Sequence, residues 1–127
     1  MKKILLFSLF SLLFLLSACG EKEDTDSKRV ITANVSSEGG KQLINMMAKG
    51  GFEPNETVAK SGVDSIIRVE TRGTFDCSSS LVIPFLDYKT NLPPTGVTDI
   101  DLPSQEKGST LFGSCSMGMY NFEIKFI

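Results

Sequence analysis

The side chains best equipped for chemistry in this chain all carry sulfur: Cys19, Cys77, Cys115, Met117 and Met119. Three of them alternate in Cys115-Ser116-Met117-Gly118-Met119, so an extended segment would turn all three sulfurs to one side. Thiolate and thioether are soft donors that favour Cu(I) over hard ions such as magnesium or calcium. Histidine is absent from all 127 residues. Its absence removes the Ser-His-Asp triad, imidazole-bound zinc and the two-histidine blue-copper site. Without it no nucleophile–base pair can be named, and the carboxylates form no constellation, so a binding module is expected rather than an enzyme.

Cys19 belongs to a different chemistry from the other two cysteines. Lys2 and Lys3 precede an apolar run over residues 4–16, broken only by Ser8 and Ser11 and too short to span a bilayer comfortably. The run ends in Leu16-Ser17-Ala18-Cys19-Gly20, which resembles the bacterial lipobox, with small residues before the cut and a cysteine just after it. Residues 1–18 are therefore expected to be a signal peptide and Cys19 the lipidated residue, with two or more acyl chains giving stable membrane anchoring. The expected location is the cell envelope; Gly20 in place of Asp favours the outer membrane, facing the periplasm, if the cell is Gram-negative.

Residues 21–29 hold no apolar side chain and cannot bury surface, so residues 19–40 read as lipid anchor and tether, and residues 41–127 as one folded domain. Loss of Lys2 and Lys3 with the signal leaves 11 cationic against 15 anionic side chains, a net charge of −4 with no basic patch for nucleic acid. Outside the cytoplasm Cys77 and Cys115 admit two readings. They form a permanent disulfide over a loop of about 38 residues, contributing on the order of 3–4 kcal/mol, or they form a metal site or redox-switchable pair.

The elements that must position these sulfurs are short. Gly50-Gly51, Pro54, Gly62, Gly73, Pro84, Pro93-Pro94, Gly96, Pro103, Gly108, Gly113 and Gly118 leave little room for helices. Strands are expected over residues 65–70, 81–83, 97–102 and 120–127. In the last, Tyr120, Phe122, Ile124 and Phe126 alternate with Asn121, Glu123 and Lys125. This spacing predicts an all-β antiparallel sandwich or barrel. One stretch is ambiguous: Leu43, Met46 and Met47 stand at helical spacing before Gly50, which suits a helix C-cap.

From about Met47 onward the chain resembles cupredoxin-like domains of the soft-ligand bacterial type. The resemblance rests on Lys49-Gly50-Gly51-Phe52-Glu53-Pro54-Asn55, Lys60-Ser61-Gly62-Val63, Cys77-Ser78-Ser79-Ser80-Leu81, Leu92-Pro93-Pro94-Thr95-Gly96, and Cys115-Ser116-Met117-Gly118-Met119-Tyr120, in that order. Similar domains open periplasmic iron-uptake lipoproteins or are attached to copper-transport proteins. The resemblance implies a Greek-key β-sandwich and makes residues 42–48 its first strand, against the helical spacing. It implies a metal site at one end, with Cys115, Met117 and Met119 in the loop before the last strand and Cys77 as the distant ligand. Copper is the implied metal, and a metal-transport or envelope protein the implied partner. The iron-uptake relatives suggest that Asp76, Glu53 and Asp87 could add carboxylate ligands, but nothing local selects one, and solvated surface is the expectation for each. The competing expectation is a disulfide-stapled β-sandwich that binds a protein or supports an envelope assembly without metal.

Overall fold

A computed structural model describes residues 31–127; the expected signal peptide, Cys19 and the first part of the tether lie outside the described residues. The chain forms two five-stranded sheets packed as an all-β sandwich. One holds β1 (Val35–Glu38), β2 (Lys41–Ala48), β5 (Ser65–Thr71) and β8 (Gly96–Leu102) in that order, with β3 (Phe52–Glu53) paired to β2. The other runs β4 (Glu56–Ala59), β10 (Asn121–Phe126), β9 (Thr110–Cys115), β6 (Ser80–Ile83) and β7 (Tyr88–Asn91).

The sheets are mixed, which corrects the expectation of a purely antiparallel sandwich. β2 pairs with β5 and β4 with β10 in parallel. The reason is the path of the chain: after β2 it crosses to the second sheet through β4, and returns to lay β5 beside β2 in the same direction.

The strands follow from alternation. In β5, Ser65, Ile67, Val69 and Thr71 are buried, while Ile66, Arg68 and Glu70 lie on the outer side. There Arg68 meets its cross-strand partner Asp99 at 2.8 and 2.9 Å, and Glu38 at 3.4 Å, which helps fix the register of β5 on β8. Asp99 holds the Arg68 guanidinium well above its ordinary pKa, and Arg68 in turn lowers that of Asp99. In β10, Phe122, Ile124 and Phe126 are buried, as the alternation predicts. They join Ile44, Ile67, Val69, Leu81, Ile83 and Leu111 in one core. Each large side chain fully buried there contributes roughly 1.5–3 kcal/mol relative to exposure.

The ambiguous stretch is a strand. Ile44, Met46 and Ala48 join the core, while Leu43 is buried on the opposite side of the same strand. β2 lies inside its sheet, and Gln42 and Leu43 are buried beside Ile44, which blurs its period of two.

The domain begins earlier than residue 41. Thr32 donates its backbone N–H to Val58 O at 3.1 Å, and β1 pairs with β2 from Val35↔Ile44 to Glu38↔Lys41. Residues 32–38 therefore belong to the fold, and the expected tether over 19–40 is shortened accordingly. Near the start of β2, the buried Gln42 side chain joins the two sheets. Its Nε2 donates to Lys60 O at 2.9 Å and Ser65 Oγ at 2.8 Å, and its Oε1 accepts from Lys60 N at 3.0 Å.

Candidate metal centre

Cys77 and Cys115 meet at the end of the sandwich away from Gln42, with Cα atoms 5.7 Å apart and their sulfurs joined in a disulfide. Cys115 is the last residue of β9, opposite Leu81 of β6, and is only 1% exposed. Cys77 opens a single 3-10 turn, Cys77–Ser79, and is partly exposed against the core. One sulfur is thus held by a ladder and the other by a loop.

That loop is tied down from several sides. Thr74 Oγ1 donates to Ala48 O at 2.5 Å, and Thr74 N donates to Pro94 O at 2.8 Å. Thr71 Oγ1 donates to Pro93 O at 2.7 Å, and Leu92 N to Ser79 O at 2.7 Å. Asp76 makes the tightest connection. Its Oδ1 accepts from Ser78 N at 2.8 Å and from Ser78 Oγ, while Oδ2 accepts from Gly50 N at 2.9 Å. These bonds, the Ser78 hydroxyl first and then the Gly50 and Ser78 amides, lower the pKa of the Asp76 carboxyl from its ordinary value. Asp76 is a brace between the β2–β3 turn and the turn that carries Cys77.

Met117 and Met119 lie on the surface, 78% and 64% exposed. The extended segment expected from their spacing is not formed. Gly118 N donates to Cys115 O at 2.9 Å and Cys115 N to Tyr120 O at 3.0 Å, which closes a turn, and Gly118 adopts φ +70. Met119 lines a shallow open cleft with Gly50, Gly51, Phe52 and Tyr120. The structure therefore brings the two cysteines together and places both methionines in the loop that leaves Cys115, without turning them inward.

The carboxylates do not gather there as ligands. The Asp76 oxygens are already engaged, and Glu53 is exposed on β3. Asp87 caps the 3-10 turn Pro84–Leu86 with φ +49, at the far end of the β6–β7 hairpin. Among the described residues no three Cys, Asp or Glu side chains converge on one point. Sequence reasoning misses Thr71 and Thr74 altogether and takes Asp76 for solvated surface or a potential ligand, not for a brace.

No protein-family model matches the chain, and no curated protein matches it. Solved structures do. The metal binding domain of the Cu(I)-exporting P-type ATPase CopA from Streptococcus pneumoniae D39, determined with Cu(I), is similar with a TM-score of 0.65 at 20% identity, over 73% of this chain and 92% of that one. A copper binding protein solved by NMR in the apo form gives a TM-score of 0.65 at 20% identity, over 73% of this chain and 94% of the other. The likeness is one of fold, and it spans nearly the whole of both neighbouring domains.

Proposed function

We propose that this chain is a membrane-anchored, cupredoxin-like lipoprotein that handles copper in the cell envelope. In this reading Cys19 carries the lipid, and the domain is a Greek-key sandwich. The reduced protein binds Cu(I) through Cys77, Cys115 and Met119, with Met117 beside them. It buffers the ion or passes it to a metal-transport or envelope partner; it neither binds nucleic acid nor catalyses a reaction.

One observation carries the reading. Two cysteines 38 positions apart converge at one tip of the fold, next to a loop with two exposed methionines. Two domains with this fold are described as copper binding. The donor chemistry fits: two thiolates and a thioether are soft ligands, and the chain has no imidazole to compete with them. The disulfide must first be reduced, because a metal takes thiolates. Once it is, side-chain rotation at the present Cα separation lets both sulfurs face one ion.

Titration of the reduced full chain with Cu(I) against a competing chelator tests the proposal. One equivalent should bind, and Cys115→Ser should weaken binding by at least an order of magnitude, as loss of a charged ligand does. Unchanged affinity in Cys115→Ser rejects this site.

The disulfide itself favours a second reading, a stapled sandwich that presents its surface to a protein partner and holds no metal. A free-thiol count on protein taken directly from the envelope separates the two. Fully oxidised chain that stays metal-free in copper-supplemented cells supports the scaffold.

A further inference from the structure

The two sulfurs of the disulfide stand in unequal surroundings. Cys115 Sγ belongs to a residue 1% exposed, on a strand paired through Leu81 on one side and closed by the Cys115 N to Tyr120 O bond on the other. Cys77 is partly exposed, on a three-residue turn that follows Phe75 and Asp76, both exposed. An attacking thiolate must reach the sulfur it bonds to, and burial of one sulfur directs attack to the other.

We infer that Cys77 is the sulfur through which thiol–disulfide exchange with a reducing partner, such as a dithiol, opens this site. The first thiolate of the partner bonds to Cys77 Sγ. The Cys77–Cys115 bond breaks, and its electron pair leaves on Cys115 Sγ, which takes a proton from solvent. The partner's second thiolate then attacks its own sulfur in the mixed disulfide and releases Cys77 as a thiolate, which is protonated in turn. The dithiol has become a disulfide, and the protein has gained two electrons and two protons. A monothiol needs a second molecule to free Cys77, and until one arrives the neighbouring Cys115 thiolate can expel it and re-form the original bond; a dithiol frees both sulfurs within one encounter.

The same inequality sets the order of events. Cys115 stays on its ladder throughout, while the segment around Cys77 has only side-chain and loop hydrogen bonds to hold it. Metal loading, where it occurs, therefore waits for the second step. Because this order depends on the surroundings of the disulfide alone, it is tested separately from copper binding.

The test uses oxidised full-length protein and glutathione as the monothiol probe, with brief exposure, acid quench and peptide mass mapping. Glutathione should be found on Cys77 over Cys115 by about tenfold or more, the ratio a 1.4 kcal/mol difference in access gives. Equal labelling or a preference for Cys115 overturns the inference; where Cys115 expels glutathione before the quench, the single-thiol rates decide it. A second measurement guards against scrambling of the label by adduct exchange. In Cys115→Ala and Cys77→Ala chains that also carry Cys19→Ser, the one remaining thiol is timed with a chromogenic aromatic disulfide. Cys77 should react about tenfold faster, and equal rates count against the inference. Should the adduct map to Cys77 and the reduced protein then bind no Cu(I), the exchange site survives and the copper reading does not.

Discussion

On the N-terminal side of Cys115, Leu111, Gly113 and Cys115 turn into the core while Phe112 and Ser114 turn outward. On its C-terminal side Met117 and Met119 continue the same spacing of two, yet both lie exposed. The same arithmetic gives opposite results because alternation is a property of paired strands. β9 is paired on both sides, with β10 and with β6. After Cys115 the chain enters a turn, and Gly118 at φ +70 ends the periodicity. Residues on the ladder are held where the core puts them; those beyond it are free to follow a ligand.

The largest effect that separates these two sides comes from the bond at their junction. Removing it with Cys77→Ala and Cys115→Ala together should cost about 4 kcal/mol, the loop-closure value for a 38-residue loop. Urea unfolding of oxidised wild type and the double variant measures it; a loss below about 1 kcal/mol would mean that the loop bonds around Asp76 and Thr74 hold this end by themselves. Next come two glycines of the same region that resist substitution for different reasons. A Cβ on Gly113 would run into the ring of its cross-strand partner Phe122. Gly113→Ala should therefore destabilise by about 2–3 kcal/mol through overpacking. Gly118 has open space around it but a left-handed backbone, so Gly118→Ala should cost only about 1 kcal/mol. Equal costs would remove the distinction between a packed ladder and an open turn.

Much of the fold is legible in the sequence where one face of a strand is buried and the other wet. Phe122, Ile124 and Phe126 show this in β10, and Ile67 and Val69 in β5. It is not legible at β2, where Leu43 is buried as well as Ile44 and Met46 on the other face, so burial does not simply alternate. Nor is it legible at β1, where Ser36, Ser37 and Glu38 form a polar edge with no apolar pattern. The candidate site divides in the same way. The joining of two distant cysteines is a tertiary fact that composition leaves open between bridge and ligand. Thr74 escapes notice, and the bracing role of Asp76 with it, because Thr74 reaches Ala48 O and Asp76 reaches Gly50 N, each 26 positions away. No local motif records such a bond.

Asp76 offers a smaller test of the loop side. Its carboxyl pKa is lower in the folded protein than the ordinary 3.8, so its stabilisation is present above 3.8 and is lost as pH falls through the lower folded value. Asp76→Asn keeps the shape but loses the charge, and it turns an amide NH2 toward Gly50 N in one orientation or toward Ser78 N in the other. It should cost about 1 kcal/mol near neutral pH, as loss of a capping side chain does. The gap between wild type and variant should close under acid. A gap of undiminished size as the pH is lowered ever further below 3.8 would assign the cost to packing instead of charge.

The smallest effect on stability is the most informative about the methionines. Met117 and Met119 are too exposed to contribute much burial, so Met117→Ala and Met119→Ala should each change unfolding free energy by less than about 0.5 kcal/mol. If they are ordinary surface residues, Cu(I) affinity of the reduced protein should be equally indifferent to them. If the loop supplies a thioether, Met119→Ala should weaken Cu(I) several-fold while leaving the urea midpoint unmoved, and Met117→Ala should do less. Exposure then becomes an argument for function, because a side chain that stabilises nothing when the metal is absent retains the freedom to turn toward it.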